Sequence, residues 1–168
     1  MADPNETPVL TATGLVDMLA LNMTLLGRQT AGLAHEDSLL QPQPRGNCLN
    51  WVVGHIARHR EYMLQDLDLS PEVGEGVLGR YERGSAPVTE DGPDVVPLPN
   101  LLEILQRQQD RLAAALTEAS PEVLDRPSPL SDKRSVASDL HFLAWHETYH
   151  LGTTELLRQL AGTDDQVI

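Results

Sequence analysis

The chain is short of cysteine, of basic residues and of long apolar runs, and each shortage removes a class of function. Its one cysteine, Cys48, cannot close an internal disulfide and suits a reducing compartment, where a buried, unreactive thiol is the expected role. Twelve Lys and Arg face 25 Asp and Glu, a formal charge of −13. Such a surface repels phosphate backbones and anionic membranes, so nucleic-acid and membrane partners are disfavoured. No apolar stretch approaches the ~20 residues of a membrane span, and the start, MADPNETPVL, lacks a basic segment followed by an apolar one. A soluble, cytoplasmic protein is expected, with its 168 residues forming a single domain, 1–168.

No segment alternates like a strand for more than a few residues, and no internal repeat is visible. What the chain does have is helical periodicity. Over 11–34, Leu15, Met18, Leu19, Leu25, Leu26 and Leu33 share one face, with polar Asn22 interrupting the stripe. After LLQPQPRGNC, Asn47 or Asn50 can cap a second helix reaching about residue 69, with Val52, His55, Ile56, His59 and Met63 inward. Residues 70–98 are rich in proline, glycine and acid, and read as a long connection. A third helix is expected from Asn100 to about residue 119, burying Leu101, Leu105, Leu112 and Leu116. Beyond PSPLSDKR, a fourth should run from about Ser135 to 161, with Gly162 as its stop and Leu143, His146, His150, Thr153, Leu157 and Leu160 as its seam. The expected fold is all-α, a four-helix bundle with a long crossover connection between helices 2 and 3.

His146-Glu147-Thr148-Tyr149-His150 matches H-E-x-x-H, in which two helical histidines hold zinc beside a glutamate base. At 100° per residue the two histidines lie about 40° apart, close enough to share a cation. His55 sits on the buried stripe of the second helix, so a third imidazole can approach from a facing helix. Burying several imidazoles without partners costs roughly 1–3 kcal/mol for each unsatisfied group, which favours metal binding over three unrelated core histidines. His59, four residues after His55, can also ligate, but is expected to line the pocket and leave an open position. His141 points about 140° off the His146 face, and His35 falls near the end of the first helix; neither is a first-choice ligand. Glu147, about 80° from the midpoint of the histidine pair, can reach the rim but need not; a solvated or interface carboxylate, or one orienting an imidazole, is expected.

NWVVGHIARH (50–59) and HFLAWHETYHLGTTELLRQLAG (141–162) resemble the DinB/YfiT-like superfamily, small four-helix proteins unrelated to the DNA polymerase of similar name. In both, an aromatic precedes the histidine of the second helix, and H-x-x-x-H-x-G falls in the fourth. The resemblance implies a divalent metal held by His55, His146 and His150. Thr153 and Thr154 stand where such proteins often carry glutamine, a departure at the subfamily level that leaves the three ligand positions intact.

The resemblance also implies candidate chemistry, since proteins of this type include transferases and isomerases that use a low-molecular-weight thiol such as bacillithiol or mycothiol. Zinc or nickel would suit the imidazoles, with iron or manganese as alternatives, and a homodimer acting on a small-molecule substrate is expected. A non-catalytic, stress-associated metal-binding bundle is the main competitor. A metallohydrolase of the H-E-x-x-H type ranks lower, because only 18 residues follow His150 and no sheet is available to present a peptide. Di-iron chemistry would need paired E-x-x-H motifs that the inward seams lack.

Overall fold

A computed structural model describes residues 10–74 and 76–163. Four long helices, α1 (Ala12–Thr30), α3 (Leu49–Asp66), α4 (Leu98–Glu118) and α6 (Val136–Leu160), carry the fold, with short helices α2 (His35–Ser38) and α5 (Pro121–Asp125) in the connections. Among the described residues there is no strand, and no helix is long and apolar enough to cross a membrane.

Around the bundle, α3 packs on α6, α6 on α1, α1 on α4, and α4 back on α3. Side-chain hydrogen bonds fix the directions. On α3 and α4, Asn50 reaches the Val96 carbonyl while Gln108 reaches that of Ala57 and the Glu61 carboxylate, so the two helices run parallel. On α1 and α6, Asn22 bonds to Thr148 and Arg158 to the Gln29 carbonyl, again in parallel. Arg60 of α3 meets Glu147 of α6, and His55 lies beside His150, an antiparallel pair. Residues 67–97 therefore carry the chain back along the bundle before α4 begins. A 3-10 turn, Gly79–Tyr81, docks this return segment on α3.

The helix ends show which local signals acted. Ser135 caps α6, its hydroxyl accepting from the Ser138 N–H, and Gly162 follows the helix at φ +83°, a conformation that favours glycine. The first helix stops at Thr30, short of the expected 34, because Gly32 turns the chain at φ +76°. Neither Asn47 nor Asn50 caps α3; Cys48 occupies that position, fully buried, its thiol donating to the Val88 carbonyl. Burial pushes that thiol's pKa up, keeping it protonated and inert. Nor does Asn100 cap α4, which begins at Leu98 with Pro99 in its first turn, where a missing N–H costs nothing. His35 does the capping instead, its Nδ1 accepting from the Leu98 N–H at 3.3 Å. It lies in α2, beyond the first helix.

The apolar core forms two clusters. One surrounds Trp51, Val53, Ile56, Tyr81, Leu101 and Leu105; the other gathers Leu15, Leu19, Met63, Leu112, Leu116 and Leu140. On α6 the buried seam is Leu140, Leu143, Ala144, Glu147, Leu151, Thr154 and Leu157, whereas Thr153 and Leu160, expected inward, are exposed. That seam is centred on Glu147. His146 and His150 stand at its edge, half-buried.

Candidate metal centre

Tyr81 organises the α3 side of the centre. Its ring lies flat against Gly54, where any Cβ would overlap it, and its hydroxyl donates to Asn50 Oδ1 at 3.0 Å and accepts from the Val96 N–H at 2.8 Å. Held at both ends, Tyr81 presents its carbonyl to His55, whose Nδ1 donates to it at 2.7 Å. The consequence is a fixed tautomer: with the proton on Nδ1, Nε2 of His55 carries the free lone pair. Trp51 stacks on the same imidazole with ring centroids 4.5 Å apart, and its indole N–H is tied to the Ser85 hydroxyl.

From α6, His146 and His150 bring their Nε2 atoms within 3.1 Å of each other. One ligand atom from each of His55, His146 and His150 lies within 4.8 Å of the others, a group that could hold one metal ion. The His146–His150 spacing fits a shared divalent cation, since two imidazole nitrogens on one ion at ~2.0–2.1 Å would be separated by about 2.9–3.4 Å, and His55 stands near enough to complete the group. His59 does not belong to this group. Its Nδ1 donates to the His55 carbonyl one turn back at 2.9 Å, while its ring lies 4.3 Å from that of His146.

All four imidazoles are biased towards the neutral form that ligation requires. Burial is the first cause in each case, and neighbouring ring charges add to it for His59, His146 and His150, taking His59 down to about 3 and His150 to about 4. The Arg83 charge acts on His146 in the same direction. At the rim, burial works against ionisation of Glu82, but hydrogen bonds from Tyr62 and Arg58 outweigh it and hold the carboxyl below its usual range.

Glu147 is not at the rim, and neither of its oxygens bonds to an imidazole. It is 2% exposed, and its Oε2 and Oε1 accept from Nε and Nη2 of fully buried Arg60, each at 2.8 Å. A third Arg60 nitrogen donates to the Leu105 carbonyl. Glu147 is an interface carboxylate rather than a rim or imidazole-orienting one, because the packed face of α6 is centred on it and not on the histidine pair. Arg60 was overlooked, although an arginine four residues after inward Ile56 requires an anionic partner if it is buried. His141 plays a local part: its Nδ1 accepts from the Leu10 N–H.

The family model of the DinB superfamily matches residues 25–154, most of the chain and all four of these histidines. The protein belongs to the DinB superfamily. No curated protein matches the sequence.

Other contributors could not be read from the sequence. Tyr81 and Ser85 lie in the return segment, which has no periodicity to place them. Gly54 was visible in W-x-x-G-H, but its reason is the Tyr81 ring on the far side of the backbone.

Proposed function

We propose that this DinB-superfamily protein holds one divalent cation through His55, His146 and His150 and uses it in transfer chemistry with a low-molecular-weight thiol. The supporting observation is the convergence of three imidazole nitrogens within 4.8 Å, with the His55 tautomer set by Tyr81. When bound, the cation would supply Lewis-acid chemistry, lowering the pKa of a thiol or water. Zinc or nickel suits the donor set, and iron or manganese is also compatible. The chain's own residues supply the rest. Tyr81 and Trp51 orient His55, and His59, its Nδ1 occupied by a carbonyl, presents Nε2 beside His146 as an acceptor for a proton or hydrogen bond.

A peptidase reading needs Glu147 as the general base, and both of its oxygens are occupied by Arg60 in the core. A non-catalytic bundle, the second reading, is favoured by the way the three histidines join α3 to α6. A cytoplasmic setting and a homodimer complete the proposal, the latter tested by sedimentation.

The deciding measurement is metal content after purification without nickel resin, followed by thiol-transfer assays on metal-loaded protein. About one cation per chain, lost in His55→Ala, supports the site. Transfer activity that disappears with the metal supports catalysis. Full metal retention in His55→Ala would remove the site, and metal without turnover or an exchangeable coordination position would leave the structural bundle.

A further inference from the structure

Beside His150 a cavity of about 320 Å³ opens between α6 and the segment entering α3. Its walls include Trp51, Val52, Tyr149 and Leu157, and its polar lining includes Arg45, Asn47 and Thr153. Its volume falls at the low end for small-molecule sites, and the mix of aromatic walls with a few polar groups is usual for one. Trp51 belongs to this cavity and to the metal centre at once, since its ring also stacks on His55.

Arg45 is the one permanently charged residue of that lining. Arg58, Arg80, Arg107, Arg111 and Arg126 each meet a carboxylate, whereas Arg28 and Arg83, like Arg45, have no ion pair among the described residues. In a chain carrying 25 acidic residues, Arg45 has neither an ion pair nor a hydrogen bond among the described residues. No acidic side chain lines the cavity. A guanidinium at the edge of an apolar pocket, with its donors unspent, matches a planar anion that it can grip with two parallel hydrogen bonds. Asn47, on the same segment, and Thr153, across from it on α6, add neutral polar groups to the lining.

We infer that this cavity binds the substrate of the proposed reaction, and that the substrate is a small carboxylate with an aromatic or apolar body, its carboxylate on Arg45 and its reacting end towards His150. The inference rests on the metal–thiol reading for the word "substrate", but the carboxylate site stands on the cavity and Arg45 alone. Because Arg45 is at the surface, solvent screens part of its charge and the preference is modest.

Two probe pairs separate the two ideas. With metal-free protein, titration of 4-methylbenzoate against 4-methylbenzamide, followed by NMR shifts of the Trp51 indole N–H, tests the carboxylate site without any thiol. With cobalt-loaded protein, 4-(mercaptomethyl)benzoate and its amide add a near-ultraviolet sulfur-to-cobalt band, which tests thiol access to the metal. The carboxylate should bind roughly three- to tenfold more tightly than the amide at low salt, less so at high salt. Arg45→Gln should erase that preference while leaving amide binding unchanged, and Lys133→Gln, beyond the far end of α6, should keep it. Equal affinities in the parent protein, a preference that survives Arg45→Gln, or loss of amide binding in that variant would each overturn the inference. A preference without the cobalt band leaves the carboxylate site standing and removes the thiol reading; the band without a preference does the reverse.

Discussion

On α6, His146 and His150 stand half-buried at the edge of the packed face, whereas Glu147, next in sequence to His146, lies in the core with both oxygens on Arg60. The five-residue string is thus divided between two environments. Its histidines stand beside His55 of α3, where the three could hold one metal ion, and its glutamate joins α3 to α6 through a closed ion pair. The spacing H-E-x-x-H guarantees that two imidazoles can meet, because residues four apart share a helix face. It says nothing about the glutamate, whose chemistry depends on which side of the helix the core covers.

The largest effect should come from breaking the closed half. Arg60→Ala strands a buried carboxylate and Glu147→Ala a buried guanidinium, and each should cost about 3–5 kcal/mol of unfolding free energy in urea. The double variant Arg60→Met, Glu147→Leu should recover most of that loss, because apolar residues of similar volume avoid desolvating two charges. If either single change costs under ~1 kcal/mol, within the range of surface ion pairs, the pair is not closed and Glu147 returns as a candidate base.

Breaking the open half should act on metal rather than on folding. His55→Ala removes one of three proposed ligands, and cation affinity should fall by more than the ~10–100-fold typical of losing a supporting partner. Competition with a coloured chelator would measure it. An unchanged affinity would mean that the three nitrogens converge for another reason.

How much of this division was legible before folding follows from what each residue depends on. Helical periodicity could bring His55, His59, His146 and His150 to facing seams, since α3 and α6 are long and regular, and the family resemblance singles out His55, His146 and His150; Ser135 and Gly162 mark the ends of α6 by local chemistry. The Glu147–Arg60 pair depends on the rotation of α6 about its axis, which the bulky apolar residues Leu140, Leu143, Leu151 and Leu157 decide together. Thr153 and Leu160 were placed inward by the same error of rotation. The Tyr81 carbonyl was not legible at all, because its position depends on how residues 67–97 return across α3.

Gly54→Ala probes that hidden support. A methyl group there must displace the Tyr81 ring, so about 1–3 kcal/mol of destabilisation is expected from overpacking. Tyr81 also sets the His55 tautomer, so metal affinity should drop with it, by roughly 10–100-fold. Lost stability with unchanged affinity would confine Gly54 and Tyr81 to packing.

Acidification sharpens the comparison by sign. Folding holds the pKa values of the four clustered histidines below their ordinary 6.5, so as pH falls the unfolded chain takes up protons before the folded one does. Their stabilising contribution is complete above about pH 6.5 and declines as pH falls through the folded values, about 4 for His150 and about 3 for His59. Asp66 runs the other way. Burial first, and then the nearby Asp139, raise its carboxyl to about 6 despite the Ser128 hydrogen bond, so protonating it relieves a penalty as pH falls below that value. Asp66→Asn should therefore expose the histidine trend in urea titrations of metal-free protein. Ring-proton NMR should place His59 and His150 at the bottom of the histidine range, and titration of either near 6.5 would show that the cluster is more open to water than its packing indicates.

The smallest effect is expected at His59, which bears on whether a coordination position remains open. Its ring lies 4.2 Å from His55 and 4.3 Å from His146, close enough that distance alone does not exclude it from a shared cation. Its Nδ1 is committed to the His55 carbonyl, however, and its other nitrogen falls outside the group formed by His55, His146 and His150. His59→Asn retains a polar side chain on the same turn, and cation affinity should change by less than about tenfold, under ~1.4 kcal/mol. Transfer activity should fall further than affinity if Nε2 of His59 accepts a proton or hydrogen bond from the reacting molecule. A loss of affinity as large as that of His55→Ala would make His59 a fourth ligand. Four imidazoles would then close a tetrahedral zinc site, and the structural bundle would displace the transferase as the better reading.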